Sequence, residues 1–128
     1  MLPFTLTGIV IHGQSMGNTY DSPTANIIPE EDVSSLSHGV YYSVVEIDGQ
    51  SHPAITNLGV RPTVNEDGRV NAETYIYSYD EDLYGRTIHV TLLVFSRPEK
   101  KFDSVDELFE TVRSDLQKGA VYHGLPDV

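Results

Sequence analysis

Short apolar runs with a loose period of two are separated along the chain by glycine-, proline- and aspartate-bearing breaks. Side chains on a strand point alternately to its two faces, so this pattern predicts strands. Phe4 to His12 is rich in β-branched residues (Thr5, Thr7, Ile9, Val10, Ile11) and reads as the first strand. Asp21 to Ile28 continues as an extended stretch stiffened by Pro23. Gly39 to Ile47 is a strand carrying Val40, Tyr41, Tyr42, Val44, Val45 and Ile47. Asp48-Gly49 is a strong hairpin signal, and Ser51 to Leu58 is the returning partner. Ala72 to Tyr79 and Arg86 to Arg97 are two further strands around a turn at Asp80 to Gly85, and Pro98 ends the second of them. Only the last stretch changes period. Val105, Leu108, Phe109, Val112 and Leu116 share one helical face. Ser104 is the expected N-cap with Glu107 completing a capping box, and Gly119 is the expected C-terminal stop. Strands with tight turns and no intervening helices indicate an all-β antiparallel barrel or sandwich, with the one helix packed on it.

Composition narrows the class. A length of 128 residues fits one domain over 1–128, with 39% hydrophobic residues and no cysteine. Disulfides and thiolate metal sites are thereby excluded. A formal net charge of −11 argues against a nucleic-acid surface, which needs clustered lysine and arginine, and against an anionic membrane surface. It leaves room for a single nucleotide held through a cation and backbone amides. Met1 to Thr7 has no basic region followed by an apolar run, and no apolar segment is long enough to span a bilayer. A cytoplasmic monomer is the expectation.

Candidate chemistry begins at Ser22-Pro23-Thr24-Ala25-Asn26-Ile27. In an extended segment Thr24 and Asn26 point to one face and present a hydroxyl and an amide oxygen side by side. Neutral oxygens on a stiff strand suit a magnesium ion that also holds phosphates; the plainer alternative is a strand start with a polar outer face. The preceding loop carries Gly13 and Gly17, which allow close backbone approach to phosphate or mark a simple surface turn. Glu73 stands among apolar neighbours in Asn71-Ala72-Glu73-Thr74-Tyr75-Ile76. A carboxylate there is either an outward strand residue or one with a partner and a task. The five histidines have no metal-ligand spacing.

In order along the chain stand Pro23-Thr24-Ala25-Asn26, Gly39-Val40-Tyr41-Tyr42, Asn57-Leu58-Gly59-Val60-Arg61-Pro62-Thr63, Glu73-Thr74-Tyr75-Ile76, Asp82-Leu83-Tyr84-Gly85 and the segment Arg97 to Ser104. This ordered set resembles the riboflavin kinase (flavokinase) family over nearly the whole chain. The resemblance implies a six-stranded antiparallel Greek-key β-barrel with one C-terminal helix. It implies ATP-dependent phosphorylation of the ribityl 5′-hydroxyl of riboflavin, giving FMN. It further implies Thr24 and Asn26 as ligands of Mg2+ and phosphates, Glu73 as catalytic base, and Gly13, Gly17 and Tyr84 by the nucleotide. Arg97, Lys100 and Phe102 would border the flavin. The chain departs from the family pattern at Asn18, Asp21 and Ser22, where the family has a basic residue, a glycine and a bulky apolar residue, and at Tyr75, where it has histidine. An anion in place of a glycine beside a triphosphate implies weaker nucleotide binding. The alternative reading is a non-catalytic flavin-binding module on the same fold.

Overall fold

Alternating β-branched and aromatic residues build six strands: β1 (Phe4–Ile9), β2 (Ala25–Ile27), β3 (Gly39–Ile47), β4 (Gln50–Val60), β5 (Val70–Ile76) and β6 (Thr87–Pro98). One helix, α1 (Val105–His123), closes the chain. The structure is a computed structural model and describes residues 1–12, 24–60 and 70–126. All strands join one antiparallel sheet in the order β1-β6-β3-β4-β5-β2. Strands β3, β4 and β5 form a meander and β6 returns beside β3, which is the Greek-key connection. Register shifts between β3 and β6 at Val40/Tyr41 and Tyr42/Ser43 add curvature. The sheet curls until its edge strands approach: Ile11 N–H donates to Asn26 O at 2.8 Å and Glu30 N–H to Thr7 O at 2.9 Å.

The expected boundaries shift where the backbone is drawn elsewhere. β1 ends at Ile9 because Val10 turns to Arg86 O and Gly85 N, after which Ile11 makes a lone bridge to Asn26. β5 ends at Ile76, short of Tyr79, because Ser78 takes a positive φ of 57° that no strand continues. The Asp48-Gly49 hairpin forms as expected, with both residues at positive φ, 51° and 79°.

Alternation divides the sheet into two faces. Leu6, Ile27, Tyr41, Val45, Leu58 and Val90 point inward and form the barrel core. Val40, Ile55 and Tyr77 point outward, and α1 lies on them through Val112 and Ala120, with Leu108 and Leu116 at the margin. Ser104 caps the helix as predicted: its backbone is extended and its hydroxyl accepts from Glu107 N–H at 3.1 Å. The helix passes through Gly119 and stops at Gly124, in the left-handed region. The predicted apolar face is also rotated. Val105 and Phe109 are exposed, while Asp115, Gly119 and Ala120 are buried. Close approach is the reason: a Cβ on Gly119 would collide with the Tyr77 hydroxyl, so the glycine is there to admit a neighbour, not to end the helix. Among the described residues no helix is long and apolar enough to cross a membrane.

Candidate active site

One transverse register row crosses the outer face of the sheet. Arg97 on β6 pairs with Val40 on β3, Val40 with Asn57 on β4, Asn57 with Glu73 on β5, and Glu73 with Asn26 on β2. Three strand steps of about 4.8 Å separate Arg97 from Glu73, roughly 14 Å along the sheet, and Asn26 lies one step beyond.

Polar side chains gather at the β2–β5 end of this row. Thr24 Oγ1 donates to Glu73 Oε2 at 3.1 Å. Asn71 Nδ2 donates to Asn26 Oδ1 at 3.0 Å. Glu73, Asn26 and Asn71 are all buried. The expected pairing of Thr24 and Asn26 on one face thus corresponds to bonds from both to β5 side chains two residues apart. A buried carboxylate is expensive without donors, and the Thr24 hydroxyl supplies one.

Thr24 also lines a cleft of about 100 Å³, together with Val10, His12, Thr74, Asp82 and Tyr84. The Tyr84 ring, 54% exposed, stacks on His12 with centroids 3.8 Å apart and planes 12° from parallel. Tyr84 N–H donates to Asp82 Oδ1 at 2.9 Å, which orders the turn that presents the ring. Thr24 connects this cleft to Glu73. Behind the cleft runs a row of buried hydroxyls, Ser43 to Thr56 at 2.8 Å and Thr56 to Thr74 at 2.9 Å. No sequence pattern announces this row, because its members lie on three strands.

At the other end of the register row, Arg97 forms a fork with Asp115 of α1, Nε to Oδ1 at 2.9 Å and Nη2 to Oδ2 at 2.7 Å. Its Nη1 donates to Pro98 O at 3.0 Å. Arg97 therefore ties β6 to the helix. Lys100 lies 3.6 Å from Glu107 and 5.6 Å from the Phe102 ring centroid. Lys100 and Phe102 thus sit together at the start of the helix. Tyr77, under the same helix, donates to Leu116 O at 2.7 Å, and burial raises its pKa well above the ordinary tyrosine value. Gly13, Gly17, Asn18, Asp21 and Ser22 lie outside the described residues.

The donors near Glu73 are carboxylate, hydroxyl and amide oxygens, which fit a hard divalent cation. Among the described residues no three His, Asp or Glu side chains converge as a metal cage.

Comparison with known proteins identifies the family and the fold. The family described as riboflavin kinase (Flavokinase) matches residues 1–122. A bifunctional riboflavin kinase/FMN adenylyltransferase of Pseudomonas fluorescens is 38% identical over 114 residues, 89% of this chain and 36% of the relative. The chain thus spans little more than a third of that curated relative. A Streptococcus pneumoniae structure described as a macrolide-efflux protein superposes with a TM-score of 0.75 at 35% identity, over 89% of this chain and 37% of the other. The riboflavin kinase of Trypanosoma brucei superposes with a TM-score of 0.69 over 98% of this chain and 83% of the other, at 24% identity, a likeness of fold.

Proposed function

The chain belongs to the riboflavin kinase family, and from that premise we propose that it transfers the γ-phosphate of ATP to the ribityl 5′-hydroxyl of riboflavin, giving FMN and ADP. The observation that carries this reading is the register row from Asn26 through Glu73 to Arg97. It sets the Asn26 amide, the Glu73 carboxylate and Arg97 beside the helix in a line on one face.

The residues have distinct tasks. The nucleotide base lies against Tyr84 and His12, and its phosphates run past Thr24. Riboflavin lies toward Arg97, Lys100 and Phe102, with its ribityl chain directed to Glu73. Glu73 takes the proton of the 5′-hydroxyl as that oxygen bonds to the γ-phosphorus and the bond to the β,γ-bridging oxygen breaks, releasing ADP. A threonine hydroxyl on the carboxylate keeps it oriented. Positioning supplies most of the acceleration in such a transfer. Thr24 Oγ1 and Asn26 Oδ1 would hold Mg2+, which when bound offsets the charge of the phosphates. With a net charge of −11, neither nucleic acid nor an anionic membrane is a partner in this reading.

The purified protein given riboflavin, ATP and Mg2+ should produce FMN and ADP in equal amounts. Riboflavin binding without FMN formation would refute the kinase reading and leave the flavin-binding module.

A further inference from the structure

One buried group beside Glu73 has no task in the chemistry above. Asn71 precedes Glu73 by two residues on β5 and shares its face. It is 1% exposed. Its Nδ2 donates to Asn26 Oδ1, and its own Oδ1 is buried with no hydrogen-bond partner among the described residues. Buried polar atoms almost always have partners, so an acceptor orphaned among the described residues is open to a donor that a bound ligand brings.

The two ends of this amide have one logic. An asparagine side chain offers an oxygen and a nitrogen of nearly equal shape, and its neighbours decide which end points where. A donor at Asn26 Oδ1 fixes that amide and leaves a second lone pair on the same oxygen. Removing a group that holds a ligating atom in this way typically costs about 10–100-fold in metal affinity. A hydrated cation brings the missing element as well, because its water molecules are donors.

We infer that Asn71 is a positioning residue for the ion that accompanies the nucleotide. It holds Asn26 with the amide oxygen presented, and its own Oδ1 accepts from the hydration shell that the ion carries in. The inference rests on the kinase reading. It assigns a role to a residue outside the Glu73-Thr74-Tyr75-Ile76 motif. The competing role is mechanical: Asn71 would only tie the three-residue strand β2 to β5.

Calorimetric ADP binding, with Mg2+ or with a chelator, separates these roles without reference to turnover. In the wild type, Mg2+ should strengthen ADP binding. Asn71→Leu keeps volume but removes donor and acceptor. It should reduce the Mg2+-linked enhancement by about 10–100-fold, or abolish it where the wild-type enhancement is smaller. Metal-free ADP binding and riboflavin affinity should stay unchanged. In an Asn26→Ala background the same substitution should add nothing. Asn71→Thr, which suits a strand and cannot reach Asn26 in the same way, should behave alike and serves if the leucine variant does not fold. Equal loss with and without Mg2+, or an intact enhancement, overturns the inference while the kinase reading stands. A wild type that forms no FMN and binds ADP without regard to Mg2+ overturns both.

Discussion

Glu73 is a carboxylate 8% exposed on a strand, a placement that costs stability unless donors surround it. Thr24 is one such donor, and it reaches Glu73 across 49 residues of sequence. If Glu73 takes the proton of the attacking hydroxyl, Glu73→Gln keeps the shape and removes the basicity. FMN formation should then fall by about 10²–10⁴-fold while riboflavin fluorescence quenching is retained. Unchanged turnover would remove Glu73 from the chemistry. Asn26→Ala should likewise abolish most phosphoryl transfer and leave the far-ultraviolet circular dichroism spectrum unaltered; wild-type Mg2+ dependence in that variant would dismiss Asn26 as a ligand. Thr24, Asn26 and Glu73 stand out in the sequence as candidates, but a polar strand face and an outward acid explain them as well, and only the ordered motifs and the family resemblance single them out. Asn71 does not stand out, since nothing in its own neighbourhood distinguishes it from any polar strand residue.

At the scale of elements, the decisive contact is α1 against the outer face of the sheet. Arg97 was expected at the flavin border, and its guanidinium is engaged by Asp115 in a two-bond fork. The Asp115 side chain is 5% exposed and that of Arg97 25%. Removing one partner of a buried pair costs about 3–5 kcal/mol, and the partial exposure of Arg97 sets the lower end for Asp115→Ala. Urea unfolding should report a loss of about 3 kcal/mol, and a loss under about 1 kcal/mol would mean the pair is solvent-screened. Gly119→Ala tests the same interface with opposing terms. Helix propensity favours alanine by about 1 kcal/mol. Against it, the new methyl meets the Tyr77 hydroxyl, which is bonded to Leu116 O. Overpacking costs about 1–3 kcal/mol and the displaced hydrogen bond about 1 kcal/mol more. The variant should therefore melt below the wild type; a higher Tm would mean the helix shifts at no cost. Reading Gly119 as a helix stop followed from its residue type, and only the tyrosine opposite reveals why a glycine is needed within the helix.

Across the whole molecule, burial sets the response to alkali. Desolvation raises the pKa of Tyr77 and of Tyr41 above the ordinary tyrosine value. The folded state therefore holds these protons more tightly than the unfolded chain does. Their contribution to stability is complete below about pH 10 and is lost as pH rises towards the folded values. Unfolding midpoints in urea should be level up to about pH 9 and fall above pH 10, and Tyr77→Phe should flatten that fall; an unchanged slope would place the effect elsewhere. The sequence alone determined the class of the fold. Period-two alternation, the Asp48-Gly49 turn, the Ser104 cap and the late change to helical period are local properties, set by residues within a few positions of one another. Its ordered motifs also determined the family. What only the tertiary structure decided is which residues meet. The register that lines up Asn26, Glu73, Asn57, Val40 and Arg97 depends on how five strands pair. So do the hydroxyl row from Ser43 to Thr74 and the fork that docks the helix. Strand pairing is settled by burying two faces at once, a condition on the whole chain that no local pattern carries.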